Sequence, residues 1–565
     1  MTDPQRVAAG RGFLDYDSQA RAEVLLDAGS MRVVCGPEDR ITSPWLAPQG
    51  IVPRADDGVV IARGTVDGRP VVVASIEQRF LGGALGEVSG AKITEAVRSA
   101  ARDSRAGVPT AAILLLETGG VRLQEAHLGL NAVAELCSAV LDLRPLAPVI
   151  GVAAGDLGCF GGVALAAGLC TRFIVTPRGR LGLNGPAVIE HEAGVAEFDS
   201  SDRALIWAID GGEQRQATGL ADFLVAEDPD DIREAVRAAL AAGVSPAGTH
   251  RSERLDVLAS RVATVDPANP PQPRELRARW GASYEPVDAP RPRSRGGIPV
   301  PGRGRTWLTA LGGEPTAVIP SVLRADADDA VYLAVVSDPD NPFHRARHGE
   351  VGLTESLTLA RTIRSVIAED QTRERDRHRA IVAIVDVPSQ AYGRVEEMVG
   401  LHQAIATTID AYHAARVAGH PVIALVVGQA YSGGFLAHGL QAHKILALDD
   451  PGVEIHAMHR DTAARISMGS VERLDELAEI VPPLSYDVRV WADLGFCAGL
   501  VGVGDADTPT PTDVDSARRA IRDAIAAARR GPDDLSNRMD SPAAVRNRAA
   551  SRAVRDVFAR EWPAR

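Results

Sequence analysis

The sequence predicts an α/β protein made of two similar halves, and three observations indicate this. Apolar segments of strand length alternate with longer amphipathic segments of helix length, as in parallel βαβ units. The order of these segments in the first half recurs in the second half. Between the halves, residues 265–305 are rich in Pro, Arg and Gly, a composition typical of a linker.

The elements follow in the same order in each half. An apolar strand, AAILLLETGG at 111–120 or RAIVAIVDVPSQ at 379–390, precedes a loop and a helix of some twenty residues. A second strand, a turn with a Gly-Gly pair and a helix of small residues come next. We therefore predict one domain over 1–264, a linker over 265–305, a second domain over 306–529 and a charged helical tail over 530–565.

The Gly-Gly turn occurs twice, as PVIGVAAGDLGCFGGVALAAG at 148–168 and PVIALVVGQAYSGGFLAHG at 421–439. The N-terminus of a helix presents backbone N–H groups without intrahelical partners and favours negative charge. Glycine lets a substrate oxygen approach the backbone closely. Each turn could form an oxyanion hole, with the loop at 118–120 or 387–389 as a second wall. The alternative is that the glycines only permit tight packing of helix on sheet.

Composition excludes several classes of protein. The 565 residues carry a formal net charge of −13, which argues against a general nucleic-acid binder. Five scattered cysteines without a C-x-x-C pair argue against a disulfide framework and against a zinc site, and we predict no metal. Residues 1–29 lack the apolar core of a signal peptide. No apolar run approaches the ~20 residues of a membrane span, so we expect a soluble, cytoplasmic protein.

The first half resembles the β side of the acyl-CoA carboxyltransferases. The segments that carry the resemblance are FLGGALGEVSGAKITEAV (80–97), ETGGVRLQEAHLGL (117–130) and GRLGLNGPAVIEHE (179–192). ITSPWLAPQGIVPRADDGVVIARG (41–64) and EFDSSDRALIWAIDGGEQRQATGLAD (197–222) are similar to one branch in particular, the β subunit of biotin-independent malonate decarboxylase. The resemblance covers roughly residues 10–285.

The second half resembles the γ subunit of the same enzyme over roughly residues 303–505. Its carriers are DPDNPFHRARHGEVGL (338–353), IVDVPSQAYGRVEEMVGLH (384–402) and GHPVIALVVGQAYSGGFLAHGLQA (419–442). The resemblance implies two tandem crotonase-like (ClpP-like) carboxyltransferase domains. The sequence departs from the family in joining both subunits on one chain. The four-cysteine zinc ribbon of some relatives is not matched, because only Cys35 lies in that region.

The activity implied by the resemblance is decarboxylation of a malonyl thioester carried on an acyl carrier protein, giving CO2 and the acetyl thioester. Two facing oxyanion holes, one in each domain, would hold the thioester oxygen and the departing carboxyl. By analogy, Gly161 and Gly162, walled by Gly119 and Gly120, face the thioester oxygen. Ser432, Gly433 and Gly434 face the carboxylate; the opposite assignment remains open.

The enolate must then be protonated. Tyr431 and His438 lie beside the second turn, and Tyr392 lies in the preceding loop, so each is a candidate proton donor. A water molecule is the alternative. A tyrosine or histidine near such a helix is also commonly a core residue.

The resemblance implies that the substrate arrives on a CoA-like prosthetic arm, with no covalently bound cofactor. Seven residues are candidates to contact the arm. Glycines allow close approach of the backbone, and Lys, Arg and His suit its anionic groups. The candidates are Gly82, Gly83, Gly86, Lys92, Arg345, Arg347 and His348. Surface exposure without a ligand is the alternative for the charged ones.

The family works as a complex, so the expected partners are the acyl carrier protein subunit and the acetyl-S-ACP:malonate ACP transferase subunit. We also expect a homo-oligomer of the fused chain and no nucleic-acid or membrane partner. Two other functions stay open. One is a biotin-dependent acyl-CoA or malonyl carboxyltransferase, which would transfer the carboxyl group to biotin. The other is a noncatalytic scaffold that positions a carrier protein.

Overall fold

A computed structural model describes residues 12–289, 300–327, 329–467 and 469–563. The first half forms one seven-stranded sheet in which strand order follows chain order. Its first three strands pair antiparallel, and the rest pair parallel. The strands are β1 (Arg32–Cys35), β2 (Val59–Val66), β3 (Arg69–Ile76), β4 (Ala111–Leu115), β5 (Val149–Ala153), β6 (Arg172–Val175) and β7 (Phe223–Leu224).

The helices of the first half connect these strands and cover the sheet. The longest, α2 and α3, pack against each other and bury almost every apolar side chain they carry. The helices are α1 (Ser18–Leu25), α2 (Glu87–Arg105), α3 (Ala126–Leu143), α4 (Gly162–Leu169), α5 (Pro186–Ala193), α6 (Arg203–Asp210), α7 (Gly212–Ala217), α8 (Pro229–Ala242), α9 (Leu255–Ala263) and α10 (Pro273–Trp280).

The second half repeats this plan. Two antiparallel pairings lead into a parallel sheet of order β15-β13-β12-β11-β10-β9-β8, and β14 pairs with the far end of β12. The strands are β8 (Thr316–Ile319), β9 (Val322–Ala327), β10 (Ala330–Val335), β11 (Ala380–Val387), β12 (Val422–Tyr431), β13 (Lys444–Asp449), β14 (Glu454–His456) and β15 (Gly499–Gly502).

Helices α14 and α15 of this half face the first half. The helices are α11 (Arg303–Gly312), α12 (Leu353–Asp370), α13 (Arg394–Val399), α14 (Leu401–Val417), α15 (Ser432–Ala437), α16 (Arg460–Ile466), α17 (Val471–Ala478), α18 (Val488–Asp493), α19 (Pro511–Arg530), α20 (Pro542–Asn547) and α21 (Ala549–Glu561). The predicted α/β class, with two matching parallel-stranded halves, is confirmed.

The antiparallel strands were not predicted. In the first half, β2 and β3 form a hairpin around Asp67 and Gly68, both of which have positive φ. An Asp-Gly pair between apolar runs is a strong hairpin signal, because a tight primed turn needs two left-handed residues. The signal was present in the sequence and would have identified this hairpin.

The predicted linker is partly a packed element. Helix α10 lies inside residues 265–305 and buries Leu276 and Trp280. The guanidinium of Arg261 lies over the Trp280 ring, 5.3 Å from its centroid. The two buried side chains could not be recognised from a composition dominated by Pro and Arg. The linker is therefore shorter than predicted. Residues 290–299 lie outside the part of the chain that the structure describes.

The C-terminal tail is helical as predicted, and it packs on the first half. Helix α21 contacts α2 and β1, and Ser551 donates from both its N–H and its hydroxyl to Glu87 Oε1 at 3.0 Å. The Arg63 side chain donates to the Trp562 carbonyl and stacks on its ring. The tail therefore helps to fix the second half against the first.

Within the part of the chain that the structure describes, one helical segment, Leu123–Leu143, is long and apolar enough to cross a membrane by length and composition alone. It contains α3, and 94% of its most apolar window is buried inside the protein. It therefore serves as a core helix that packs against α2 and α4.

Candidate active site

The first Gly-Gly turn follows β5 and is organised by a buried carboxylate. Glu117, at the end of β4, accepts hydrogen bonds from the N–H groups of Ala154, Gly155 and Gly158, at 2.5, 2.8 and 3.3 Å. Burial raises the pKa of Glu117, and these hydrogen bonds oppose the shift. The carboxylate thus fixes the loop that leads to α4.

The backbone at this turn is packed too closely for side chains. A Cβ at Gly120, whose φ is +108°, would lie 2.9 Å from Gly161 Cα. Gly161 lines the cleft, but its N–H donates to the Leu183 carbonyl at 2.8 Å and is therefore occupied. The N–H of Gly162, the first residue of α4, belongs to the first turn, where amides lack intrahelical partners.

Gly119 lines the cleft and Gly120 does not, and the amides of both are engaged. The Gly119 N–H donates to Gly82 O at 2.9 Å, and the Gly120 N–H donates to Thr118 Oγ1 at 3.0 Å. Of the predicted group at this turn, Gly162 therefore remains as the donor toward a ligand.

The second Gly-Gly turn is built differently. Ser432, at the start of α15, has a φ of +51°, which is uncommon for a residue with a side chain. The Gly433 N–H donates to the side-chain oxygen of Gln390 at 2.7 Å. A Cβ at Gly434 would collide with the Ser389 carbonyl. Gly434 is therefore a packing position, and the Gly433 amide is occupied by Gln390.

The two turns face one cleft between the halves of a single chain. The cleft has a volume of about 300 Å³. A Cβ on Gly162 would lie 3.0 Å from Leu436 Cδ1 of α15, so the heads of α4 and α15 are in contact range. The lining residues are Leu81, Gly82, Ala84, Gly119, Val121, Leu123, Gln124, Leu130, Leu157, Gly161, Gly162, Leu183, Asn184, Gly185, Val188, Gln390, Tyr392, Ser432, Gly433, Leu436, Ala457, Met458, Ile466 and Ser467.

The lining contains no Asp, Glu, Lys, Arg or His among the residues that the structure describes. Tyr392 is the one lining residue there that can exchange a proton. Burial raises its pKa strongly, and Glu192 adds to the rise, while hydrogen bonding with Ser432, Ser389 and Gln390 opposes it. The phenol therefore keeps its proton at neutral pH, as a proton donor must. Its place in the cleft agrees with the predicted role, which stays a prediction.

The other two candidate donors do not reach the cleft. His438 is fully buried; its Nδ1 lies 2.8 Å from the Tyr412 hydroxyl, and burial lowers its pKa to about 4. The Tyr431 hydroxyl donates to Glu454 Oε2 at 2.5 Å, and its ring packs in a separate apolar cluster. The predicted donor roles of His438 and Tyr431 are wrong, because neither side chain lines the cleft: His438 points into the core, and the Tyr431 hydroxyl is bonded to Glu454.

Of the residues predicted to contact a CoA-like arm, some lie at the cleft and others do not. Gly82 lines the cleft, whereas Gly83 and Gly86 are packed against Glu117 and Glu125. Lys92 is fully buried, and its ammonium donates to the carbonyls of Asp56 and Val59 at 2.7 and 3.2 Å. Its predicted phosphate contact is wrong, because α2 turns it toward the sheet.

The remaining predicted contacts lie in the loop at 344–348, and Arg345 of this loop contacts the first half of the chain. Arg345 donates to Glu197 Oε2 at 3.2 Å and to the Ala193 carbonyl at 2.8 Å. Arg347 donates to the Asn341 carbonyl at 2.9 Å, and His348 is exposed. None of Arg345, Arg347 and His348 lines the cleft. Their contact with a prosthetic arm stays a prediction.

The contacts that join the two halves at the cleft were not predicted from the sequence. Glu397 accepts from the N–H groups of Leu183 and Asn184 at 3.0 and 2.7 Å, and Arg215 donates to the Glu397 carbonyl at 2.9 Å. At the edge of the same region, His459 Nδ1 lies 3.2 Å from Glu192 Oε2. Neighbours more than 180 positions apart in sequence leave no local signal.

Comparison with known proteins gives a separate family match for each half of the chain. Residues 19–280 match the carboxyl transferase domain, and residues 346–562 match the malonate decarboxylase gamma subunit. The second match includes the C-terminal tail helices.

Two relatives come from Malonomonas rubra. The malonyl-S-ACP:biotin-protein carboxyltransferase MADC is 38% identical over 41% of this chain and 76% of its own length. MADD, of the same description, is 32% identical over 33% of this chain and 64% of its own length. A solved Pseudomonas malonate decarboxylase hetero-tetramer in complex with malonate contains a chain that is 54% identical, over 49% of this chain and 99% of that one, with a TM-score of 0.47.

Proposed function

This chain belongs to the carboxyltransferase family and joins a β-like and a γ-like malonate decarboxylase half, and from this premise we propose that it is the decarboxylase component of malonate decarboxylase. It converts a malonyl thioester on an acyl carrier protein to the acetyl thioester and CO2. The observation that carries the proposal is the uncharged cleft between the two Gly-Gly turns, with Tyr392 in its wall.

The cleft suits the electronic demands of this reaction. Breaking the bond to the carboxylate leaves its electron pair on the α-carbon, and the resulting enolate places negative charge on the thioester oxygen. A backbone N–H such as that of Gly162 stabilises this charge as it develops. In the same step the negative charge leaves the carboxylate, which departs as neutral CO2. A cation beside the carboxylate would stabilise the reactant more than the transition state, and this cleft has no such cation among its described lining residues.

The enolate carbon then accepts a proton and becomes the methyl group of the acetyl thioester. One proton is consumed for each CO2 released, which balances the loss of the carboxylate. Tyr392 has a hydroxyl in the cleft wall and holds its proton at neutral pH. We assign it as the donor, with bulk water restoring its proton.

The substrate is presented on the CoA-like prosthetic arm of a separate carrier subunit. The rim at Gly82, where the backbone is exposed, suits entry of this arm. An acetyl-S-ACP:malonate ACP transferase subunit would reload the carrier with malonate. The functional unit we propose is thus a cytoplasmic hetero-complex that also contains copies of the fused chain.

The test is release of CO2 from carboxyl-labelled malonyl thioester by the purified full chain. We expect release from malonyl-S-ACP, with malonyl-CoA as a poorer substrate, and no effect of avidin. Absence of release with either substrate, in the presence of the carrier subunit, would contradict the proposal. Binding of carrier without release would favour the scaffold.

A second candidate is carboxyl transfer to a biotin protein, because MADC and MADD carry that description. The chemistry up to the enolate is shared, and only the fate of the CO2 differs. Transfer of label to a biotinylated acceptor, with avidin abolishing turnover, would identify this function instead.

A further inference from the structure

A chain of three hydrogen bonds crosses the cleft wall from one half to the other. The Gly433 N–H donates to Gln390 Oε1 at 2.7 Å, and Gln390 Nε2 donates to Asn184 Oδ1 at 2.7 Å. Asn184 Nδ2 then donates to the Ala391 carbonyl at 2.8 Å. Gln390 and Asn184 both line the cleft, and they are 4% and 1% exposed.

The orientation of both carboxamides is set by their partners. A backbone carbonyl only accepts, so Asn184 must present its NH2 to Ala391 and its oxygen to Gln390. Gln390 must then present its NH2 to Asn184 and its oxygen to the Gly433 N–H. Each carboxamide has two N–H groups and uses one of them in this chain. Asn184 retains one further N–H, and the second N–H of Gln390 faces the Tyr392 hydroxyl in the cleft wall.

Asn184 is also fixed through its backbone. Its N–H donates to Glu397 Oε1 at 2.7 Å, and the N–H of the preceding Leu183 donates to the other carboxylate oxygen. The pair is therefore positioned before any ligand arrives, which lowers the entropic cost of binding one.

A carboxylate that enters this cleft meets neutral donors, because the described lining residues carry no charge. A buried carboxylate needs hydrogen-bond donors, since its desolvation is otherwise too costly. The Gly433 amide is occupied. Two carboxamide N–H groups lie beside it: one on Asn184 that this chain of bonds leaves unused, and one on Gln390 that faces the Tyr392 hydroxyl.

We propose that Gln390 and Asn184 together recognise the malonyl carboxylate, and that the Gly433 amide positions Gln390 instead of contacting substrate. The inference rests on the proposed function and names the specificity determinant of its site. It also assigns one residue of the pair to each half, so that selection of a malonyl over an acetyl group requires both halves.

The test compares two unreactive ligands that differ by one carboxylate. In malonyl-amino-dethia-CoA and acetyl-amino-dethia-CoA, nitrogen replaces the thioester sulfur and CO2 loss is suppressed. Their dissociation constants for the full chain are measured by calorimetry. We expect Gln390→Met to weaken the malonyl ligand about tenfold and to leave the acetyl ligand within twofold.

Gln390→Glu sharpens the comparison, because it places a negative charge beside the carboxylate. We expect it to weaken the malonyl ligand more than Gln390→Met does, with little change for the acetyl ligand. The matched control is Gln371→Glu, which adds the same charge at an exposed position outside the cleft lining. It should leave both constants unchanged.

Equal weakening of both ligands by Gln390→Met, in a variant with unchanged melting temperature, would overturn the inference. So would unchanged selectivity in both Gln390 variants. If Gln390→Met loses the malonyl selectivity of the wild type, but the wild type releases no CO2 from malonyl-S-ACP, the proposed function fails while the recognition pair stands. If it releases CO2 and selectivity ignores Gln390, the inference fails alone.

Discussion

The two Gly-Gly turns have the same sequence pattern but differ in what holds them. The first is fixed by backbone and by a carboxylate: Gly161 donates to Leu183, and Glu117 accepts from three loop amides. The second is fixed by a side-chain carboxamide, because Gln390 accepts from Gly433. Helix α4 has eight residues after the turn, whereas α15 has six.

The difference teaches that a duplicated motif need not keep a duplicated task. The first turn leaves the Gly162 amide at the head of a helix, which suits the oxyanion of an enolate. The second turn presents carboxamides, which suit a carboxylate that must later leave. This asymmetry favours the assignment of the thioester oxygen to the first half.

The largest effect is expected at the first turn. In Gly162→Val, the new side chain would meet Val133 Cγ1 at 2.9 Å and Leu436 Cδ1 at 3.0 Å, which displaces the amide and fills the hole. Loss of one oxyanion donor typically costs about 100- to 1,000-fold in kcat, so we expect CO2 release to fall by at least about 100-fold.

Gly185→Val is the matched control for Gly162→Val. Gly185 lines the same cleft with a φ of −62°, and a Cβ there would meet only Val188 Cγ2 at 4.0 Å. We expect a loss below about threefold. Equal losses in both variants would mean that activity responds to cleft volume and that the Gly162 amide has no special role. Gly434→Val is unsuitable, because its Cβ would strike the Ser389 backbone.

The second effect concerns the proton donor. Tyr392→Phe removes the hydroxyl from the cleft wall while keeping the ring, and general acid catalysis usually contributes about 100-fold or more. We expect CO2 release at pH 7 to fall by about that factor, with KM for malonyl-S-ACP little changed. Tyr431→Phe, whose hydroxyl bonds Glu454 outside the cleft, should stay within threefold. A Tyr392→Phe enzyme of wild-type rate would assign the proton to water.

Local pattern predicted much of this molecule, and contacts between distant residues explain the rest. Both Gly-Gly turns, their flanking strands and the repeat of the halves could be seen in the sequence, because each depends on residues adjacent in the chain. That Lys92 and His438 point into the core could not be seen in the sequence, because it depends on which side of a helix packs against the sheet. The Asn184 and Gln390 pair joins positions 206 residues apart.

The third prediction tests the carboxylate that holds the first turn. Glu117→Gln keeps the shape and one oxygen for the Ala154 and Gly155 N–H groups, but it turns an NH2 group toward the Gly158 N–H, which also donates to the Gly155 carbonyl at 3.0 Å. The lost hydrogen bond is worth about 0.5–1.5 kcal/mol, so we expect the free energy of unfolding in urea to fall by roughly that amount. Glu23→Gln, on the exposed face of α1, is the control and should change it by less than about 0.5 kcal/mol. An equally stable Glu117→Gln protein would show that the turn does not depend on this carboxylate.

The smallest effect is expected at His459, which joins the halves beside the cleft. Burial alone would lower the pKa of His459, but the hydrogen bond and charge of Glu192 outweigh it and raise the pKa above its ordinary value. Glu192 is likewise held below its ordinary pKa against its own burial. The pair is partly exposed, so its contribution is modest.

The raised imidazole pKa fixes the sign of the pH dependence. The stabilisation from His459 is complete below about pH 6.5, the ordinary value, and is lost as pH rises through the higher folded value. We therefore expect the unfolding free energy of the wild type to fall by roughly 0.5–1 kcal/mol more than that of His459→Gln between pH 6 and pH 9. His191→Gln, which removes an exposed histidine from α5, should follow the wild-type curve. If the His459→Gln curve runs parallel to the wild-type curve instead, the ion pair with Glu192 does not couple the two halves.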